Sequence, residues 1–556
     1  MDIKRTVLLV VFSLSLMMLW ENWNRYTGAP SLLSPAPANQ QANEPPKADA
    51  SLPQTTNAEA AAAPAQVPSA EQAGPQGETI TIATDLLKVD VSTQGGEITR
   101  VELLKHEDNN GKPVVLLEKS ATHTYVAQSG LIGGNLPNHR TLFAVRAGSR
   151  SLDSGDTVSV VLDAEQDGVK LTKTYTFRRG EYEIGVKHDI VNNGTAAITP
   201  SVYVQLVRDS SKLDGSSRFY STFTGPATYT DADKYHKVSF EDIDKGKNPA
   251  AAHTPDGWVA MVQHYFVSAF APLSAGEHEL FTRKIGNDLY AVGAIMPLGQ
   301  VAAGATASQE GKLYAGPQES LKLEKFATDF DLVKDYGWLT IIAKPIFWLM
   351  TQIHKLLGNW GWTIIVLTIL IKLAFFPLSA ASYRSMAKMK LVTPKMTAIR
   401  ERHKGDPQQM NAAMMELYKT EKINPLGGCL PIVVQIPVFI ALYWVLLASV
   451  EMRHAPWLGW IHDLSAPDTL FGMLPGIDMP IGLLPIIMAV SMYVQTKLNP
   501  APPDPVQAKV MMFMPLVFSF MFFFFPSGLV LYWVVNNVLS IAQQWVITKQ
   551  ATAAKR

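Results

Sequence analysis

The feature that most constrains this chain is an apolar run at residues 360–378, WGWTIIVLTILIKLAFFPL. About 20 apolar residues in a helix span the ~30 Å hydrocarbon core of a bilayer, so the run predicts a membrane-crossing helix. It contains one charge, Lys372, and a lysine at bilayer depth costs about 2.5–3.5 kcal/mol on insertion scales. Thr368 lies one turn back on the same helical face. We predict that this face lines a water-filled groove. The alternative is that Lys372, near the helix end, extends to the membrane surface.

Composition supports a membrane protein of several domains. The 556 residues are 47% hydrophobic and only 17% charged, and the apolar residues concentrate near the N-terminus and in the C-terminal part of the chain. The formal net charge of zero gives no indication of nucleic-acid binding. The single cysteine, Cys429, excludes an intrachain disulfide and a multi-cysteine metal site.

The N-terminal part predicts an anchor and a linker. Lys4 and Arg5 precede an apolar stretch, and because no small-x-small cleavage site follows it, we favour an uncleaved anchor at residues 1–27 over a signal peptide. The positive charges place the N-terminus in the cytoplasm. Residues 28–77, rich in Pro, Ala and Gln, predict a disordered tether without chemistry of its own.

Residues 78–330 change character, because polar and apolar residues alternate in segments such as 169–177 and 182–191. Short alternating segments with Gly- and Asn-rich turns, and without helical patterns between them, predict an all-β antiparallel sandwich. With one anchor before it, this domain is expected on the trans side of the membrane. Its histidines show no spacing typical of metal ligands, so we predict surface or hydrogen-bonded roles for them.

Residues 331–549 are predicted to form a helical membrane core. Residues 336–357 are apolar but interrupted by charges, which favours a helix lying at the membrane surface over a crossing one. With the anchor, the predicted crossings number six and return the tail, residues 550–556, to the cytoplasm. The five crossings in the core are residues 360–378, 430–450, 481–495, 510–525 and 528–547.

Loop charges agree with this topology. Residues 379–425 carry nine lysines and arginines against four acidic residues, whereas residues 451–480 carry one against four. The positive-inside rule therefore places the first loop in the cytoplasm and the second outside it.

The basic loop predicts a helical hairpin at residues 384–424. Thr393-Pro394 is read as the start of its first helix, Gly405-Asp406-Pro407 as the end of that helix and the cap of the next, and Asn424-Pro425 as the final stop. Its methionines form either the hairpin's own seam or an adaptable docking surface, and its basic face either meets the membrane surface or docks a partner. The candidate residues here are Met396, Met410, Met414, Arg400 and Arg402.

The predicted crossings contain uncharged polar residues but neither Asp nor His, and the chain has no recognisable catalytic motif, so an enzyme is not expected and no cofactor is predicted. The polar residues could join helices by hydrogen bonds. Alternatively, with Thr368 and Lys372, they line the groove. They are Gln435, Ser491, Gln495, Ser519, Asn536, Ser540 and Gln544.

Four motifs carry a resemblance to a known family. They are EKINPLGGCLPIVVQIPVFIALYW at residues 421–444, SMAKMK at 385–390, WIHDLSAPD at 460–468 and FPSGLVLYW at 525–533. Together they resemble the YidC family of bacterial membrane protein insertases, over essentially the whole chain. The resemblance implies a five-helix core around a hydrophilic groove, open to cytoplasm and lipid, and a periplasmic β-supersandwich similar to sugar mutarotases but without sugar chemistry.

The resemblance also implies roles for individual residues. Lys372 falls where the family usually has its groove arginine, and Thr368 on a groove threonine. Lysine keeps the charge but loses the planar fork needed for bidentate contact with a carboxylate. Trp533 falls on a tyrosine position, so an apolar contact is retained without the phenol, and Tyr532 lies beside it.

The implied function is insertion and folding of membrane proteins in the inner membrane, alone or with the Sec translocon. Implied partners are nascent membrane proteins, the Sec translocon and its accessory subunits, the ribosome, for which the short tail gives weak support, and lipid, with no direct nucleic-acid recognition. The alternatives are a pure assembly chaperone and a polytopic transporter or channel, which would require a continuous path across the membrane and often inverted repeats.

Overall fold

The computed structural model describes residues 77–553, except residues 154, 212–221, 248–251, 274–275, 404, 422–429, 475–478 and 500–504. The chain divides into Met1–Ala50 and Ser51–Arg556, and every described residue belongs to the second unit. The predicted anchor, nearly all of the tether and the last residues of the tail lie outside the described residues, as does the predicted stop at residues 424–425.

The first half of the described chain is a β-sandwich. Its strands are β1 (Thr79–Ala83), β2 (Leu87–Ser92), β3 (Glu97–Glu107), β4 (Pro113–Lys119), β5 (Thr124–Ile132), β6 (Ala144–Val145), β7 (Thr157–Gln166), β8 (Val169–Arg178), β9 (Glu183–Asn192), β10 (Ser201–Asp209), β11 (Gly225–Tyr229), β12 (His236–Lys237), β13 (Ala252–Thr254), β14 (Trp258–Val262), β15 (Phe266–Pro272), β16 (His278–Gly286), β17 (Leu289–Pro297) and β18 (Thr306–Pro317). Two short helices, α1 (Phe240–Asp244) and α2 (Ser320–Phe326), accompany them.

The strands form two nine-stranded antiparallel sheets with a shared apolar core. One sheet has the order β1-β2-β3-β4-β5-β10-β17-β16-β13, and the other β12-β11-β14-β15-β18-β9-β8-β7-β6. In β8 every second side chain is buried, and Asp167 and Gly168 form its hairpin turn with positive φ angles of 49° and 74°. The predicted all-β sandwich is confirmed.

Two of the domain's histidines illustrate hydrogen-bonded roles. His188 is 2% exposed, and its Nε2 lies 2.9 Å from the Ser129 hydroxyl. His264 places its Nε2 2.7 Å from the Leu447 carbonyl, in the helical region. Within the described ranges, no group of three His, Cys, Asp or Glu side chains is placed to hold a metal ion.

The second half is helical. Its helices are α3 (Thr340–Leu357), α4 (Trp360–Ala374), α5 (Phe376–Arg402), α6 (Pro407–Thr420), α7 (Leu430–Ala448), α8 (Leu483–Leu498), α9 (Pro505–Phe522) and α10 (Ser527–Ala553). A short hairpin of β19 (Met473–Leu474) and β20 (Met479–Pro480) precedes α8. Helix α10 packs on α4, α5, α7 and α8, and the apolar core of this region joins α3, α4, α7, α8 and α10.

Helix α3 covers the segment predicted to lie at the membrane surface. It buries Ala343, Met350 and Ile353 against α4 and α7, whereas Ile341 and Trp348 are exposed beside Lys344. An exposed face that mixes an aromatic ring, an aliphatic side chain and a lysine is typical of an interfacial helix. Its position on a membrane stays a prediction.

Among the described helices, none alone combines the length and hydropathy expected of a span, while α4 and α5 meet that test together across a 67° bend. Shorter apolar stretches lie in α7, α8 and α9, at Val434–Ala448, Leu483–Leu498 and Met512–Phe522.

Two predicted helix boundaries are wrong. The run at residues 360–378 is interrupted at Phe375, because Pro377 lacks an N–H and is suited to the first turn of a new helix, α5. Helix α5 then continues through Thr393-Pro394 instead of starting there. Pro394 removes one backbone hydrogen bond, but Val392 and Met396 on either side of it are buried against α6, so packing maintains the helix.

A buried ion pair connects the end of the β domain to the helical region. The Lys334 side chain is only 1% exposed, and its Nζ lies 2.9 Å and 3.0 Å from the two carboxylate oxygens of Glu451. Glu451 lies in the segment that follows α7. The same ammonium lies 3.9 Å from the ring centroid of Phe347 in α3. Burial lowers the pKa of Lys334, and Glu451 opposes that shift.

This pair predicts an asymmetric response to mutation. Glu451→Gln is expected to lower the free energy of unfolding by about 3–5 kcal/mol, because it leaves an uncompensated ammonium in a dry site. Lys334→Met is expected to cost less, since the remaining Glu451 side chain is 22% exposed and water can solvate it. Thermal and denaturant unfolding of the two variants in detergent measures the difference.

The pH dependence provides the control. In Glu451→Gln the folded state holds the Lys334 proton less tightly than the unfolded state does, so stability rises as the pH increases from neutrality toward the unfolded pKa near 10.4. Lys334→Met lacks that dependence. An equal decrease in the free energy of unfolding for both variants at all pH values would contradict a buried, charged Lys334.

Candidate functional site

A small cavity lies between α4, the start of α5, α7 and α10. Its walls combine five apolar and four polar side chains. The lining residues are Ile371, Lys372, Phe375, Leu378, Ser379, Val434, Gln435, Val438 and Asn536.

Lys372 is the charged group of this cavity. It lies in the last turn of α4, where a cation is favoured by the helix dipole, just before the bend at Phe375. Its Nζ donates a 2.7 Å hydrogen bond to the Ser540 hydroxyl of α10, and that hydroxyl donates to the Asn536 carbonyl at 2.7 Å. The half-buried side chain therefore turns toward α10 and the cavity.

Gln435 extends this polar contact to a third helix. Its Nε2 donates to Oδ1 of Asn536 at 2.5 Å. A network of Lys372, Ser540, Asn536 and Gln435 thus joins α4, α10 and α7. These four residues of the predicted groove are brought together.

Thr368 is placed differently from its predicted role. It is 1% exposed, and its hydroxyl donates to the Ile364 carbonyl of its own helix at 2.7 Å. It lies one turn from Lys372 but does not line the cavity.

The remaining polar candidates form separate contacts among α8, α9 and α10. The Ser491 hydroxyl accepts a 3.0 Å bond from Nδ2 of Asn537, and the Ser519 hydroxyl lies 3.9 Å from the Met492 sulfur. Gln544 donates to Asn499 at 3.1 Å, and Gln495 is half-buried on α8. Ser491, Ser519 and Gln544 thus contact neighbouring segments, and none of the four residues lines the Lys372 cavity.

Sequence reasoning missed several residues. Asn537 is not among the candidates, because the four-residue spacing of Asn536, Ser540 and Gln544 marks one face of α10. The side chain of Asn537 lies on a different face of that helix. Phe375 and Ser379 line the cavity because of the bend after α4. The sequence held two signals for these residues, the Asn-Asn pair and Pro377, which is suited to the first turn of α5.

Aromatic side chains lie beside the cavity on α7 and α10. The Trp533 ring packs edge-on against Phe439 at 4.5 Å between centroids and lies 5.4 Å from Phe522 of α9. Tyr532 is 1% exposed and stacks with Phe439 at 6.2 Å. The indole N–H of Trp533 is buried, and within the described part of the chain it has no hydrogen-bond partner.

The arrangement suits recognition of an anion. An ammonium has three N–H donors, and the Ser540 contact uses one of those of Lys372. None of the cavity's lining residues, all of which are described, is acidic. Two opposite unit charges at 4 Å interact by about 4 kcal/mol at an effective dielectric of ~20, before desolvation is subtracted. A carboxylate entering this cavity therefore meets an uncompensated positive charge.

The predicted hairpin is formed by α5 and α6. The side chain of Asp406 caps α6, as predicted, accepting from the amides of Gln408 and Gln409. Met396 is 4% exposed, and Met414 packs against its cluster with Leu417 and Tyr418, so these two methionines belong to the hairpin's seam. Lys395 and Glu421 bridge the two helices at 2.6 Å.

The other hairpin candidates are closer to solvent. Met410 and Arg400 are half-buried, Arg402 is exposed, and Met415 is 56% exposed. The hairpin therefore carries an apolar seam and a partly exposed basic surface.

Two family models match consecutive parts of the chain. The model described as YidC periplasmic domain matches residues 79–349, and the model described as 60Kd inner membrane protein matches residues 352–555. Together they cover nearly all of the described residues.

Curated proteins match over the full length. The membrane protein insertase YidC of Janthinobacterium sp. (strain Marseille) is 65% identical, with 99% of each chain covered, and that of Herminiimonas arsenicoxydans is 62% identical, with 100% of each covered. Among solved structures, an active YidC insertase with its first transmembrane domain resolved is 18% identical, with a TM-score of 0.38 and coverage of 84% of this chain and 92% of that one.

The seam predicts how the hairpin responds to truncation of its methionines. Met396→Ala is expected to destabilise the α5–α6 contact by about 2–5 kcal/mol, because it opens a cavity among packed side chains. Limited proteolysis and hydrogen exchange of α6 measure this loss. Met415→Ala, at an exposed position, is the matched control and is expected to change little. Equal effects of the two substitutions would contradict a packed seam.

Proposed function

The chain belongs to the YidC family of membrane protein insertases, and from this premise we propose that the Lys372 cavity receives the polar part of a protein segment during insertion. Insertion of proteins into the inner membrane is a non-enzymatic function, and the β-sandwich is the periplasmic domain of the family. The observation that supports the proposal most directly is the Lys372 ammonium in a cavity without an acidic lining residue.

The proposed topology is multi-pass. It has six crossings with both termini in the cytoplasm, residues 28–330 in the periplasm and α3 on the periplasmic membrane surface. The support is the distribution of charge, with nine basic against four acidic residues in the loop at 379–425 and one against four at 451–480. In this orientation Lys372, at the end of α4, lies near the cytoplasmic entrance.

In the proposed mechanism, a tail destined for the periplasm enters the cavity from the cytoplasm and its carboxylates are attracted to Lys372. The following apolar segment then passes between α7 and α10, along Phe439 and Trp533, into lipid. Its transfer from water to lipid drives this step. The buried indole N–H of Trp533 offers a hydrogen bond to a polar group of the passing segment.

The packing on the other side of Lys372 favours an insertase groove over a channel. Leu367 and Ile364 are fully buried about one and two turns before Lys372 in α4, and Thr368, between them and Lys372, bonds its own backbone. A transporter or channel would need a continuous polar path there. The described residues instead support a groove closed toward the periplasm.

The hairpin is proposed to receive the substrate first, with Arg400 and Arg402 on its cytoplasmic surface. The Sec translocon with its accessory subunits, the ribosome and membrane lipid are proposed partners. These contacts rest on the resemblance to the family and on the basic character of the loop, not on a defined docking surface.

Substitutions at Lys372 test the charge. Lys372→Arg is expected to retain insertion of a single-span reporter with an acidic translocated tail, whereas Lys372→Glu is expected to reduce it strongly, because it repels the tail. The measurement follows the reporter in cells depleted of the native protein, at matched expression levels.

A matched reporter with Asn and Gln in place of Asp and Glu is the control. Its insertion is expected to be far less sensitive to the sign of the charge. Equal insertion of the acidic reporter by the Arg and Glu variants would rule out the charge mechanism.

Removal of the β domain tests where insertion takes place. Replacing residues 78–315 with a flexible linker is expected to leave insertion largely intact, because every residue lining the Lys372 cavity is helical or lies at the α4–α5 bend. The replacement retains Lys334 and Glu451. Complete loss of insertion by a stable, membrane-embedded core would instead assign the principal step to the β domain.

A further inference from the structure

We propose that Ser540 is a positioning residue that holds the Lys372 ammonium inside the cavity so that an acidic tail meets it there. The inference rests on the proposed function. It assigns the positioning role to Ser540 of α10, whereas the charge belongs to Lys372 of α4. It identifies what keeps a flexible side chain in the orientation that insertion requires.

The first step concerns the alternative orientation of Lys372. Its four-carbon stem lies two residues before the end of α4, next to the predicted cytoplasmic surface. A lysine in that position ordinarily extends its ammonium toward water and headgroups. The cavity therefore needs a contact that holds the ammonium back, and the 2.7 Å bond to Ser540 is that contact.

The second step concerns the orientation of the hydroxyl. Ser540 donates its own hydrogen to the Asn536 carbonyl one turn back in α10 at 2.7 Å. With its hydrogen engaged there, the oxygen directs lone pairs toward Lys372, so Ser540 acts as an acceptor. The Tyr383 side chain of α5 also lies within hydrogen-bonding reach of Ser540.

The third step concerns the turn of α10 that carries Ser540. Asn536 accepts a hydrogen bond from Gln435 of α7, so the two helices that flank the proposed exit path are joined at the turn that orients Ser540. Movement of α7 relative to α10 would act on Lys372 through this contact.

Positioning does not compete with substrate. The Ser540 contact occupies one of three ammonium donors, and the other two remain for a carboxylate. Removing the hydroxyl is therefore expected to weaken capture of an acidic tail by releasing Lys372 toward the surface, and not to strengthen it.

The test compares Ser540→Ala with Ser540→Thr in the full-length protein. Loss of a hydrogen bond to a charged group predicts a decrease of about tenfold or more in the insertion rate of the acidic-tail reporter for Ser540→Ala. Ser540→Thr keeps a hydroxyl and is expected to restore most of that rate. The neutral-tail reporter is expected to change less than about twofold, a separation that general damage to the helix packing would not produce.

Thr363→Val is the matched control. Thr363 is a fully buried residue of α4 whose hydroxyl donates to the Asn359 carbonyl of the preceding turn, away from the cavity. Its removal is expected to change insertion of the acidic and neutral reporters equally.

Lys372→Met separates this inference from the proposed function. If Lys372→Met lowers acidic-tail insertion, adding Ser540→Ala is expected to cause no further selective loss. Should Lys372→Met change nothing, the proposed function fails. If it does lower insertion while Ser540→Ala alone leaves the acidic-to-neutral ratio unchanged, or raises it, the positioning role is wrong and the charge mechanism stands.

Discussion

The helical core depends on how one ammonium is accommodated inside an apolar bundle. Lys372 lies where α4 ends, and the cost of withdrawing its charge from water is offset by the Ser540 hydroxyl and by the space that the bend at Phe375 leaves open. A dry helix contact at this position would leave the charge uncompensated. The bend, the cavity and the polar face of α10 are therefore parts of one arrangement around that charge.

A second buried lysine has a different role. Lys334 is fully enclosed and bonds both oxygens of Glu451, so its charge is matched within the protein. It connects the end of the β domain to the segment after α7. Lys372 has no such carboxylate among the cavity's lining residues, and the proposed attraction of an acidic tail depends on this difference.

Local patterns predicted much of the architecture. Alternating side chains in β8 and β9 identified the sandwich, and Asp406 identified the start of α6, because strand burial and helix capping depend on neighbouring residues. The same local reasoning failed at Thr393-Pro394, where packing of Val392 and Met396 on α6 maintains a helix that the proline would otherwise end. It also failed to separate Ser491 from Ser540, because the two side chains are equally polar. Ser491 of α8 bonds Asn537 of α10, whereas Ser540 of α10 bonds Lys372.

The sequence by itself determined that an apolar segment carries a lysine, that a β domain precedes a helical core, and that a basic loop forms a capped hairpin. Periodicity, charge and capping are properties of short segments, and they can be recognised without knowing which other segments pack against them. Only the tertiary structure decided that Lys372 turns toward Ser540, that Gln435 reaches Asn536, and that Thr368 bonds its own helix instead of the cavity. Those contacts depend on the rotation and bend of helices that are distant in sequence, which no local pattern specifies.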